Sequence, residues 1–212
     1  MDAIWNRLRY TFWAPWYDAL VAAGDFADAR RRSIQRLALK PGDRVLMVGA
    51  GTGLDLDYLP SDVTIVAVDV TPAMLDRLRR RARRLALEVE AHVMDARRLQ
   101  FDADSVDAVV LHLVLAVMPQ PEQGLREAER VVKPGGRIAV FDKFLRDDQR
   151  ASLLRRLLNP VMKLLFTDMN RRLGPLVSST RLEVEHDESV AFGGFFRIAT
   201  LKKPAAMTPA SA

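Results

Sequence analysis

The stretch from Val45 to Asp69, VLMVGAGTGLDLDYLPSDVTIVAVD, constrains the chain more than any other. An apolar run enters a glycine turn, and a second apolar run ends on an acid. Gly49, Gly51 and Gly53 stand at alternate positions directly after the first run. Glycine has no Cβ and tolerates positive φ, so such a turn lets backbone pass close to a ligand. A carboxylate at the tip of the next strand, here Asp69, suits the diol of a ribose, as in nucleotide-binding α/β folds generally. These residues point to an adenosine-containing ligand.

The rest of the chain reads around that unit. Residues 2–13 and 16–39 have helical character, broken near Ala14 and Pro15. Lys40-Pro41-Gly42-Asp43 is a turn, and 44–48 is a continuous apolar strand of the buried parallel type. A short helix over 54–59 stops at Pro60, and 64–69 is the second strand. Thr71 and Pro72 open a helix running to Leu87, with Thr71 as the capping candidate. Strands follow at 88–94 and 106–113, then a helix at 121–132 that ends in Lys133-Pro134-Gly135-Gly136. A fifth strand at 137–142, helical segments over 147–173 and two late strands near 181–190 and 194–202 complete the order. Alternation of strand and helix predicts parallel strands, right-handed crossovers and helices on both faces. Ligands of such sheets bind beyond the C-terminal strand ends. Gly49–Gly53, Asp69, Asp95, His112 and Asp142 all fall there and should converge on one rim.

Composition removes several classes of chemistry. No cysteine is present, which excludes disulfides, thiolate metal sites and thiol nucleophiles together. His92, His112 and His186 are the only histidines, so no metal centre is expected. The longest apolar stretch, Ala108 to Pro119, contains His112 and is too short to span a bilayer. The N-terminal residues lack the pattern of a signal peptide, and a cytoplasmic protein is the expectation. The net charge is +5, and the surplus flanks the central unit. Residues 1–40 carry seven basic and four acidic side chains, and 143–172 carry eight and three.

Two common cofactor motifs are missing. A dinucleotide fingerprint places its third glycine at position 54, where Leu54 stands. A phosphate-cradling loop needs a lysine after its glycines, and none follows. The pattern instead resembles the class I S-adenosylmethionine-dependent methyltransferases over about residues 40–145. VLMVGAGTG is similar to that family's glycine motif, VAVDVTPAML to its second and HVMDARRL to its third. FDADSVDAVVLHLVL and EAERVVKPGGRIAVFD resemble its fourth-strand and fifth-strand motifs.

The resemblance implies a Rossmann-like seven-stranded fold. Its sheet is mostly parallel, with an antiparallel C-terminal hairpin strand, helices on both faces and an N-terminal helical lid. It divides the chain into a lid at 1–39 suited to membrane binding, a methyltransferase domain at 40–203 and a tail at 204–212. Gly49, Gly51 and Gly53 then shape the methionine pocket. Asp69 and Val70 meet the ribose, and Asp95 and the Ala96 amide meet the adenine. Leu111 and His112 line the floor near the sulfur. Tyr10 and Tyr17 are the candidates for lid contacts, and His112 and Asp142 are further polar candidates. One departure stands out: Met47 occupies the position two residues before the first glycine, where the family usually carries an acid.

The methyl acceptor is signalled by the flanks. Trp5, Tyr10, Phe12, Trp13, Trp16 and Tyr17 are six of fifteen aromatics. Ile4, Trp5, Leu8, Phe12 and Trp16 share one helical face about 120° wide. Leu153, Leu154, Leu157, Leu158, Val161, Leu164 and Leu165 form a second stripe, with Arg155, Arg156 and Lys163 opposite. Both stripes fit packing against the sheet, and both fit an anionic bilayer with basic residues on phosphates. The frame YTFWAPWYDAL, GAGTG, FDKFL and TDMNRRLG resembles bacterial phospholipid N-methyltransferases, which implies a lipid amine such as phosphatidylethanolamine as acceptor. The Tyr17-Asp18 pair also recurs in quinone and small-molecule methyltransferases, and a non-catalytic S-adenosylmethionine-binding protein is a third class. Nucleic acid is disfavoured as a partner, because HLVL stands where amino-methylating DNA enzymes carry their proline motif.

Overall fold

The computed structural model describes residues 24–145, 171–190 and 196–205. The proposed lid aromatics, the stripe at 150–165 and the tail from 206 lie outside the described residues, as do Tyr10 and Tyr17.

Helix α1 (Gly24–Gln35) precedes strand β1 (Arg44–Val48), and a 3-10 turn (Leu54–Tyr58) leads to β2 (Thr64–Asp69). Helix α2 (Pro72–Arg84), β3 (Val89–Val93), β4 (Val106–His112), α3 (Pro121–Val131) and β5 (Val132–Asp142) follow. The short helix α4 (Leu173–Val177) leads to β6 (Glu183–Val190) and β7 (Phe196–Lys202).

The seven strands form one sheet in the order β3-β2-β1-β4-β5-β7-β6. The first five pair in parallel, while β7 runs antiparallel to both β5 and β6. The chain walks outward from β1 to β3, then crosses back to place β4 on the other side of β1. That reversal opens a crevice above the C-terminal ends of β1 and β4.

Period-two alternation explains why both faces are covered. Leu46, Val48, Val66, Val68, Val109, Leu111, Ile138 and Val140 join one apolar cluster with Leu125, Ala128 and Val131 of α3. Val45, Met47, Ile65, Ala67, Val110 and Ala139 face the other way, onto Ile34, Leu37, Leu75, Leu78 and Ala82. Strands buried on both faces have no polar side to show, hence their near-continuous apolar runs.

Several boundaries differ from the sequence reading. The helix read as reaching residue 39 ends at Gln35, and Ala38 takes φ 51°. Arg36-Leu37-Ala38-Leu39 favours helix locally, but burying Leu37 in the α2-side cluster takes precedence. Helix α2 stops at Arg84 rather than Leu87, and Ala86 is left-handed. Thr71 sits at its N-cap without a side-chain capping bond. Lys133–Gly136, read as the segment that ends the helix ahead of a strand at 137–142, belongs to β5 as an irregularity. Pairing jumps from Val106–Val132 to Ala108–Arg137, and Gly135 (φ 79°) absorbs the extra residues. Its amide still bonds the Lys203 carbonyl, so the segment stays tied to the sheet.

Candidate functional site

The glycine turn builds the crevice floor. Gly49, Gly51 and Gly53 all have positive φ, at 66°, 55° and 81°. The turn is closed by Ala50 N–H to the Val68 carbonyl and Gly53 N–H to the Ala50 carbonyl, both 3.0 Å. The three glycines do different things. A Cβ on Gly49 would lie 2.4 Å from Cγ2 of Val114, so the first glycine lets the post-β4 loop close down on the turn. A Cβ on Gly51 would meet nothing within 4 Å, which leaves room for a ligand. A Cβ on Gly53 would lie 3.0 Å from Leu56 and Leu78. Gly53 is absent from the crevice wall, so its small size serves the packing of the 3-10 turn on α2.

Asp69 ties the turn to the next helix. Its Oδ2 accepts the Gly51 N–H (2.9 Å) and its Oδ1 accepts the Thr71 N–H (2.8 Å). Burial pushes its carboxyl above the ordinary range, and the Thr71 and Gly51 amides pull it partly back. A carboxylate has about four lone-pair positions, so capacity remains for a diol. Val70 and Thr71 continue the wall beside it.

Asp95 and Ala96 line the far end, with Met74, Met94 and Met118 forming apolar walls. The Arg97 guanidinium grips Asp95 through Nε and a terminal nitrogen (3.1 and 2.7 Å) and holds its carboxyl below the usual carboxylate range.

Two of the sequence-predicted residues turn away from the crevice. Leu111 is fully buried in the α3-side cluster. With His112 on the crevice face, strand alternation places Leu111 opposite, and Leu113 and Val114 line the crevice in its stead. Asp142 is buried, accepting the Ala116 N–H (2.9 Å) and the Lys143 N–H (2.8 Å), and so holds the post-β4 loop rather than reaching the crevice.

His112 does line the crevice, yet its side chain is only 1% exposed. Its Nδ1 lies 2.7 Å from Oδ1 of Asp55, and its Nε2 lies 2.9 Å from the Ser33 hydroxyl. Arg30 donates to the same Asp55 oxygen at 2.6 Å. Burial pushes the Asp55 carboxyl up, but Arg30 and His112 outweigh it and hold the group far below the usual range. An ionised Asp55 can only accept, so His112 Nδ1 carries the proton. The Asp55 carboxylate and the Ser33 hydroxyl thus engage both ring nitrogens, which sets the His112 ring in a buried network beneath the crevice instead of presenting it as the catalytic group expected from the sequence.

Arg30, Ser33 and Asp55 were missed by the sequence reading. A signal existed for two of them. Phe26, Ala29, Arg30, Ser33, Ile34 and Leu37 form the buried stripe of α1 and its end, and two polar residues inside such a stripe need partners. Beside this network, Phe26 packs edge-on against both Phe141 and Phe196, which are tilted against each other, with centroids 4.7–5.8 Å apart. The Lys143 amine stands 5.7 Å over the Phe196 ring. Burial lowers its affinity for a proton, and it has no ion-pair partner among the described residues.

Comparison with known proteins fits this geometry. A family model described as a methyltransferase domain matches residues 46–140. A phosphatidylethanolamine N-methyltransferase of Cereibacter sphaeroides is 31% identical over 92% of this chain and 95% of its own length. A demethylmenaquinone methyltransferase of Clavibacter sepedonicus is 38% identical, over 59% of this chain and 51% of that protein. The crystal structure of the cyclase SpnF superposes with a TM-score of 0.77 at 18% identity, covering 94% of this chain and 95% of that one. That likeness shows the fold alone, since one fold hosts many reactions. Fold and crevice thus define a Rossmann-like transferase that takes its methyl group from S-adenosylmethionine. The chain belongs to the S-adenosylmethionine-dependent methyltransferase family.

Proposed function

We propose that this enzyme N-methylates phosphatidylethanolamine or a related lipid amine at an anionic membrane surface. The observation that carries the reading is likeness to the C. sphaeroides enzyme along nearly its whole length, flanks included. The quinone relative matches over only 59% of this chain and 51% of its own length.

In this reading Gly49 and Gly51 border the methionine part of the donor, Asp69 and Val70 the ribose, and Asp95 and Ala96 the adenine. The residues suit that ligand. Asp69 retains acceptor capacity, Gly51 leaves open space, and Met74, Met94 and Met118 offer an apolar slot of the kind a purine fills. Bound S-adenosylmethionine would supply a sulfonium methyl group for in-line attack by an uncharged amine, the N–C bond forming as the C–S bond breaks and S-adenosylhomocysteine leaves as a neutral thioether. The chain must therefore hold the acceptor nitrogen close, keep it unprotonated and exclude water. Lys143, half-buried over the Phe196 ring and in no ion pair within 4 Å among the described residues, suits an acceptor that carries a phosphate. Residues 1–39, with Tyr10 and Tyr17, act as the lid and membrane contact, on the residues' own pattern.

No helix among the described residues is long and apolar enough to cross a membrane, so contact with lipid in this reading is peripheral. The test is transfer from radiolabelled S-adenosylmethionine to vesicles containing phosphatidylethanolamine, to a demethylated quinone and to soluble amines. Labelled phospholipid is the expected product. Label found only in the quinone supports the second reading, which the demethylmenaquinone relatives favour. Label found only in a soluble amine overturns the lipid assignment.

A further inference from the structure

Three carboxylates line the crevice, Asp55, Asp69 and Asp95, and they are not equivalent. Asp69 binds backbone amides through both oxygens. Asp95 is gripped by Arg97 through both oxygens. Asp55 is different: Arg30 and His112 both bind Oδ1, and Oδ2 has no partner among the described residues. One oxygen is anchored and the other is left on the crevice wall. The anchors themselves are fixed. Arg30 and Asp55 are 6% and 7% exposed, and Ser33 holds the far side of the imidazole.

Placement adds a second constraint. Asp69 and Asp95 sit beyond β2 and β3, on one side of the switch point, while Asp55 sits beyond β1, against His112 of β4. A ligand with its nucleoside at Asp69 and Asp95 has its amino-acid end on the Asp55 side. That end is a zwitterion whose ammonium requires an anionic acceptor once water is excluded. Met47 cannot serve, being 1% exposed and turned into the α2-side cluster.

We infer that Asp55 is the acceptor for the α-ammonium group of the methyl donor, with Arg30 and His112 as positioning residues that fix its rotamer. The inference rests on the crevice being the donor site, as proposed above. An acid delivered from the 3-10 turn thus does the work that Met47, on β1, cannot.

The test uses two ligands that differ in the amino-acid end. S-Adenosylhomocysteine carries it, and 5′-methylthioadenosine lacks it. Both are titrated calorimetrically into the full chain and into Asp55→Asn, which keeps the side-chain shape. The expected result is a loss of about tenfold or more for S-adenosylhomocysteine, the scale of one hydrogen bond to a charged group. Methylthioadenosine affinity stays unchanged. Equal losses for both ligands, or no loss for either, overturn the inference. So does an unchanged S-adenosylhomocysteine affinity with a raised KM for the methyl acceptor, which would place the acceptor's nitrogen at Asp55. If the original chain binds neither ligand, the donor site itself is misplaced, a distinct failure. Should Asp55→Asn not fold, Asp55→Glu keeps the charge facing Arg30 and His112 while displacing the free oxygen. It is expected to lower the affinity ratio of the two ligands, and an unchanged ratio overturns the inference.

Discussion

Replacing Gly49 and Gly51 by alanine, one at a time, separates two roles that sequence alone treats alike. Both residues are left-handed, and an L-residue held there costs roughly 1–2 kcal/mol. For Gly51→Ala that is the whole structural cost, because the new methyl meets open space. For Gly49→Ala the methyl also falls 2.4 Å from Cγ2 and 2.9 Å from Cβ of Val114, inside any permissible contact. Overpacking of this kind adds about 1–3 kcal/mol, so the total is about 2–5 kcal/mol. At this chain length each kcal/mol moves the midpoint about 2–4 °C. Gly51→Ala should then lower Tm by about 2–8 °C, and Gly49→Ala by about 4–20 °C. Val114→Ala removes Cγ2, the nearest obstruction, but keeps Cβ at 2.9 Å, so in a double-mutant cycle it should return part of the roughly 1–3 kcal/mol overpacking cost of Gly49→Ala and none of the Gly51→Ala loss. Donor binding runs the other way: Gly51→Ala places a methyl in the crevice and should weaken it more than its stability cost suggests. Urea unfolding and calorimetric titration read both quantities. Equal destabilisation by the two substitutions, or a cycle with no coupling to Val114, would mean that Gly49 does not pack against the post-β4 loop.

Other outcomes follow from the same contacts. Asp69→Ala should weaken S-adenosylmethionine binding roughly tenfold to a hundredfold, the worth of hydrogen bonds to a buried charge, as read by calorimetry. Arg30→Met leaves Asp55 buried with a weaker counter-charge and should cost about 3–5 kcal/mol near neutral pH. The Asp55 carboxyl is depressed in the native chain, so its stabilisation is present above the unfolded value of about 3.9 and is lost only as pH falls through the folded one. Without Arg30 burial dominates and the carboxyl rises, so the variant's deficit should shrink as pH is lowered. A deficit that holds constant or widens between pH 7 and pH 4.5 counts against the network. Lys143→Met should raise the KM for phosphatidylethanolamine vesicles with little change in donor affinity, and equal KM values would remove Lys143 from acceptor recognition. Deleting residues 1–16 should reduce vesicle co-sedimentation more than donor binding, and undiminished co-sedimentation would argue against the membrane role.

The parallel core was legible because its forces are local and periodic. The expected strands at 44–48 and 64–69 are found residue for residue, since a strand buried on both faces must be apolar throughout and must end at a turn. Boundaries were less legible where propensity and packing disagree. Arg36-Leu37-Ala38-Leu39 reads as helix but bends to bury Leu37, and Lys133–Gly136 reads as a helix stop but stays tied to the sheet through Gly135. The glycine motif announced a ligand turn, but not that its third glycine packs Leu56 and Leu78 instead of lining the crevice.

Sequence by itself determined the strand order in time, the left-handed turn after β1 and the acid at the tip of β2, because each depends on neighbours a few positions apart. The fold alone brings together the side chains of the buried polar network beneath the crevice. Arg30, Ser33, Asp55 and His112 come from α1, the 3-10 turn and β4, with Asp55 separated by 25 residues from Arg30 and by 57 from His112. No local period connects them. They meet because a charged or polar group buried at a strand end must find its partner across the fold.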